Sequence, residues 1–166
     1  MQEALQAAVM LNNAAISLAT KQRYREAVEV MADAIEVTQS IAAKPLQPPS
    51  PLPPKLLRAS RLVASASGSP MKDSNVTVVE DCVGLVSNVE IQSFAVSPQT
   101  YLVQLQEDDF LMSSDEDESG IFLSAVVIYN QGCLLKCQPS MASASERLFR
   151  ASWSIQRMLE SCDLSL

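Results

Sequence analysis

Four cysteines, Cys82, Cys133, Cys137 and Cys162, supply every thiol in the chain, and there is no histidine. Without an imidazole, Ser-His and Cys-His nucleophile pairs, imidazole metal sites and histidine pH switches are excluded. Cys133 and Cys137 stand four residues apart and so share one face of a helix. A zinc site would need Cys82 and Cys162 to converge on them, and no CxxC pair is present to begin one. Thiols that are buried or line a groove are the ordinary use of such residues, and they are expected to be reduced. No GxxxxGK[ST] loop, GxSxG elbow or GxGxxG turn occurs, and the four glycines are scattered. An enzyme built on this chain would be restricted to carboxylates, Ser, Tyr or Lys, and no motif supports one. The expectation is a protein with no catalytic residues, no cofactor and no metal.

Charge divides the 166 residues into four parts. Segment 1–43 carries three bases and five acids, with no Pro or Gly, and reads as continuous helix material. Segment 44–75 carries five bases, one acid and seven prolines beside a run of Ser, the composition of a disordered linker. Segment 76–120 holds ten acids and no base, and 121–166 is close to neutral. Ser113-Ser114-Asp115-Glu116-Asp117-Glu118 has the acidic spacing that acidophilic kinases use, making Ser113 and Ser114 candidate phosphorylation sites. Phosphate there would change how the acidic loop meets the basic linker. Neither this run nor Glu107-Asp108-Asp109 has the spaced oxygens and central Gly of an EF-hand. The net charge of -7 disfavours nucleic acid and anionic lipid as partners, and no apolar run spans a bilayer. With no basic n-region ahead of the first apolar stretch, the expected location is the cytoplasm, with the nucleus left open.

Stepping positions are what those residues need, and an internal repeat supplies them. Leu11, Ala14, Ala15, Leu18, Ala27, Met31 and Ala34 recur at helical spacing, and adding 117 to each number gives Ile128, Gln131, Gly132, Leu135, Ala144, Leu148 and Ala151 without a gap. Asn13 maps onto Asn130 in the same way. Six of the seven positions fit in the second copy, and Gln131 does not. The pattern implies two antiparallel helix pairs, with Ala or Gly where helices approach and larger apolar residues between. An ordinary helical bundle whose small residues happen to align is the other arrangement that the spacing allows. Aromatics are only 5% of the chain, so the core must come from Ala, Val, Leu, Ile and Met.

This spacing resembles the tetratricopeptide (TPR) repeat, a helix-turn-helix unit of about 34 residues. It covers Ala8 to Ile41 and Ala125 to Met158, and is similar to the degenerate TPR-like proteins of unicellular algae. Tyr24-Arg25-Glu26-Ala27 resembles the start of the family's second helix, and Tyr129-Asn130-Gln131-Gly132 its first. The usual aromatic pair is missing from both first helices, Gln22 replaces the turn Gly, and no Pro closes either unit. The resemblance implies a mainly α fold and a non-catalytic interaction module, with the inner faces of the first helices forming a groove for a peptide or partner helix. The matching positions are Asn12, Asn13, Ile16, Tyr129, Asn130, Cys133 and Lys136, of which only Lys136 is charged. A neutral or amphipathic protein segment is therefore the expected partner, and a dimerising assembly subunit without a peptide ligand is the alternative.

Between the units lie three further features. Pro45, Pro48, Pro51 and Pro54 recur every third residue, one edge of a polyproline II helix, which would act as a spacer or offer an edge to an SH3-type partner. Leu56, Leu57, Val63 and Ala64 suggest a short docked helix over 55–66. Residues 89–96 and 101–106 flank Ser97-Pro98-Gln99-Thr100 and predict a β-hairpin, resting on the helices or pairing with 76–79. Two units are fewer than the three or so that cover one another, so Phe149, Trp153 and Leu159 are expected to form an exposed edge closed by self-association or another protein. The acidic insertion is expected to be a poor cover for apolar surface.

Overall fold

The computed structural model describes residues 2–42, 52–66, 76–77, 92–97, 100–106 and 116–163. The architecture is mainly helical: α1 (Gln2–Thr20), α2 (Tyr24–Ala42), α3 (Leu52–Ser65), α4 (Glu116–Lys136) and α5 (Ala142–Asp163), with a 3-10 turn at Pro139–Met141. Three strands, β1 (Val76–Thr77), β2 (Gln92–Ser97) and β3 (Thr100–Gln104), lie between α3 and α4 in sequence.

Absence of Gly and Pro lets α1 run unbroken, and Lys21, Gln22 and Arg23 turn the chain into α2. Gln22 takes a left-handed backbone, φ 62°, at the place where the repeat pattern wanted Gly. Arg23 N–H donates to the Leu18 carbonyl at 3.0 Å and Gln22 N–H to that of Ala19 at 2.9 Å, closing α1 with a Schellman turn. α2 buries one stripe, Ala27, Val30, Met31, Ala34 and Val37, and leaves its acids on the other side. α1 is buried over most of its surface, from Leu5 and Val9 to Leu11, Ile16 and Leu18, because α2, α3, α4 and the strands pack around it, and it leaves Glu3, Gln6 and Met10 exposed.

Both pairs are antiparallel. On α5, Ser145 Oγ donates to the Gly132 carbonyl at 2.8 Å, and seven residues on, Ser152 Oγ reaches Ala125 at 2.9 Å, seven residues back along α4. The two pairs pack directly on each other through α2 and α4. These helices also run in opposite directions, since Tyr24 at the start of α2 lies near Cys137, while Ile41 at its end lies against Gly120. A Cβ at Gly120 would stand 3.0 Å from Ile41 Cγ2, so the small residue sets how closely α4 approaches.

Segment 44–75 is not linker throughout. Residues 52–65 form α3, which docks on α1 and α2. The apolar stripe is Leu52, Leu56, Ala59 and Val63, with Leu57 and Ala64 turned outward, so the docked helix expected over 55–66 is present but uses a different face. Pro53 and Pro54 fall in its first turn, where a missing N–H costs nothing, so the three-residue polyproline spacing does not continue through Pro54. Pro45, Pro48 and Pro51 lie outside the described residues.

Charge explains why α3 stays there. Lys55 Nζ lies 2.5 Å from Glu36 and 3.7 Å from Asp33, and Arg58 lies 3.2 Å from Glu29. Arg23 donates to the Leu62 carbonyl at 3.1 Å and to Ser65 Oγ at 2.6 Å, tying the end of α3 to the α1–α2 turn. Two of the linker's bases are therefore engaged with acids of α2, and not with the acidic loop that the charge pattern suggested.

The expected hairpin is formed. β2 and β3 pair antiparallel from Gln92↔Gln104 to Ser97↔Thr100, with an irregularity between Ala95 and Ser97. β1 adds to β2 on its other edge, giving the order β1-β2-β3. Contrary to expectation, this acidic insertion does cover apolar surface: Leu102 and Leu105 are fully buried, and β3 packs on α1 and α4. Its chain brings the apolar residues inward while the run of acids is elsewhere in the segment. α4 also begins at Glu116, nine residues before the expected unit at Ala125, so Glu116-Asp117-Glu118 opens a helix, an end that favours acidic residue types.

Candidate partner groove

Two equivalent asparagines stand at the centre of the expected groove, where the chain's own β3 is seated. Asn13 on α1 and Asn130 on α4 occupy the same place in the two helix pairs, and α1 and α4 lie side by side under β3. Successive residues of a strand turn their N–H and C=O to opposite edges, so alternate residues share an edge. On β3 one edge meets β2, and the other presents Val103 and, one residue past the strand, Leu105 to the helices.

Each asparagine grips one of these residues at both backbone groups. Val103 N–H donates to Asn130 Oδ1 at 2.8 Å, and Asn130 Nδ2 donates to the Val103 carbonyl at 2.8 Å. Leu105 N–H donates to Asn13 Oδ1 at 3.2 Å, and Asn13 Nδ2 donates to the Leu105 carbonyl at 2.6 Å. Asn12 joins them: its Oδ1 accepts from Asn130 Nδ2 at 2.8 Å, and its Nδ2 donates to Asn13 Oδ1 at 3.1 Å and to the Val103 carbonyl at 3.2 Å. Asn12 and Asn130 are fully buried, and this closed set leaves neither amide without partners. An amide has a donor and an acceptor side by side, which matches one peptide unit edge-on. Replacing either residue would strand buried backbone groups, at about 1 to 3 kcal/mol for each.

Of the other expected groove residues, Ile16 and Cys133 stand at equivalent positions of α1 and α4, and both are buried. Cys133 is hydrogen-bonded by Tyr129, and burial pushes its thiol up to about 12. Cys137 Sγ donates to the Cys133 carbonyl at 3.4 Å, and burial raises its pKa too, against a lowering by Lys136. Neither thiol is in a disulfide and both are held protonated, which suits packing and not nucleophilic attack. Lys136 is exposed at the end of α4. Among the described residues there is no group of three or more His, Cys, Asp or Glu able to hold a metal ion; Cys82 and the Cys162 side chain lie outside them.

The expected edge on α5 is divided. Phe149 is half-buried inside the pair, its ring 5.6 Å from that of Tyr129, and a Cβ at Gly132 would come within 2.9 Å of it. Leu159 is half-buried, whereas Trp153 is 61% exposed, with the Arg157 guanidinium 5.1 Å from its ring centre. Ser113 and Ser114 lie outside the described residues.

The sequence matched the two asparagines to each other but did not show the strand of this chain that they hold. The usable signal was Asn at an equivalent inner position of both units, beside a β-prone insertion with leucines to bury. Arg23, which ties the α1–α2 turn to α3, had no sequence signal beyond its charge.

No helix among the described residues is long and apolar enough to cross a membrane. The chain matches no protein-family model, no curated protein and no solved structure.

Proposed function

We propose that this chain is a non-catalytic protein–protein interaction module, a TPR-like scaffold in which the inner faces of the two first helices receive an extended protein segment. The observation that carries this reading is the pair Asn13 and Asn130, equivalent residues that each hold both backbone groups of alternate residues on an extended strand. Such contacts read the backbone of a strand and are indifferent to most of its side chains. The cross-pair packing of α2 on α4 and the matched small residues support the TPR-like description. Asn13→Asp combined with Lys136→Glu tests it in the full tagged chain: affinity purification should lose a partner while the molar mass stays unchanged.

A second reading is favoured by α5, where Trp153 and Met158 are 61% and 63% exposed. A subunit that assembles through this face would change molar mass on Trp153→Ala and keep its mass on the groove substitutions. Sedimentation of the two variants at micromolar concentration separates the readings.

A further inference from the structure

β3 is seated in the groove by very little that belongs to β3 alone. Val103 and Leu105 offer the asparagines only N–H and C=O, and those groups exist in every extended segment that lacks proline at the two positions. Among the described side chains, Leu102 and Leu105 are the fully buried ones, 0% and 1% exposed, while Val103 is half-buried against the core and Gln104 is half-buried. A small sheet is marginal by itself in water, so its place depends on the helices beneath it. The helix pairs, by contrast, are joined to each other through α2 and α4 and through Gly120 against Ile41, contacts that do not involve β3.

From these observations we infer that β3 is a self-supplied occupant of the groove, and that the groove takes in its place an extended segment of another protein with leucine-class side chains three residues apart. The inference rests on the interaction-module reading and adds to it the competitor and the chemistry of the partner. The Leu-x-x-Leu spacing follows from Leu102 and Leu105. The partner's central pair is uncharged, because the buried Asn12 and Asn130 beside it carry no countercharge. A tethered occupant acts at an effective concentration in the millimolar range, so a free peptide sees only the open fraction of the chain.

A fluorescent octapeptide copying residues 99–106 tests this against the full chain and against its Leu102→Asp/Leu105→Asp variant, which weakens the tethered strand. The variant should bind the octapeptide saturably, and the unaltered chain at least about tenfold more weakly, as expected when most of the site is already filled. An octapeptide with Asp at both leucine positions should not bind either. A variant that keeps its helical circular dichroism but takes up no octapeptide overturns the inference. So does one that becomes a dimer exchanging hairpins, since the occupant is then a second copy. If the variant fails to fold, hydrogen exchange of the unaltered chain decides. The Val103 and Leu105 amides should exchange at least about tenfold faster than those of Leu11 and Val127, by detachment of the strand alone. Equal rates would mean that β3 leaves only when the whole chain unfolds, and would overturn the inference. A partner capture that depends on Asn13 and Lys136 while the octapeptide fails would remove the self-occupancy and leave the interaction module standing.

Discussion

At matching positions of the two helix pairs, Ala27, Met31 and Ala34 on α2 are fully buried, whereas Ala144 and Leu148 on α5 are half-buried and Ala151 is exposed. The residue types are nearly the same, and the spacing is identical. What differs is the neighbour: α4 lies across the stripe of α2, while among the described residues α5 packs on α4 and on the turn that precedes it. A helix-pair pattern in a sequence therefore specifies a face that can be covered, and the next element along determines whether it is. The first pair also gains α3 on its other side, held by Lys55 and Arg58.

Substitutions at matched positions probe this difference most strongly. Met31→Ala should cost about 3 kcal/mol by urea denaturation, and Leu148→Ala only about 1, because the half-buried site loses less contact and leaves no closed cavity. Equal costs would show that something covers α5 in solution. Ala34→Leu should destabilise by about 2 kcal/mol through overpacking against a filled interface, while Ala151→Leu should stay within about 0.5 kcal/mol of the parent.

Legibility in the sequence followed the same division. The helix pairs, their ungapped correspondence and the hairpin were readable, because each rests on local periodicity and turn chemistry. An exposed edge on α5 was also anticipated, from the count of two units, but not that Trp153 alone of the three expected residues would be exposed while Phe149 and Leu159 are half-buried, because that depends on how α5 seats on α4. Equally hidden was the occupant of the groove. The offset of 117 matched Asn13 to Asn130, and the TPR resemblance implied an inner face for both, but that Val103 and Leu105 would meet them depends on contacts across 27 and 92 residues of chain. The docking of α3 combined a visible apolar stripe with ion pairs to Glu29 and Glu36 that charge counting assigned elsewhere.

Two smaller effects sharpen the comparison. Gln131, the residue that breaks the repeat, stands where the first pair has Ala14; it is buried, and its Oε1 has no hydrogen-bond partner among the described residues. Gln131→Leu should raise stability by about 1 kcal/mol, since an orphaned buried acceptor is removed. Gln22→Gly should add about 0.5 to 1 kcal/mol by relieving the left-handed backbone of the α1–α2 turn, and a thermal melt would register it.

The central claim is that two equivalent asparagines each hold one residue of an extended strand by its backbone. Residue-resolved amide exchange in single alanine variants tests it most directly. Asn130→Ala should strip protection from the Val103 amide, while Leu102 and Gln104, whose groups face β2, stay protected. Asn13→Ala should do the same to Leu105 and spare Val103. Protection at Val103 and Leu105 that is unchanged in both variants, or lost evenly along β3, would contradict the account.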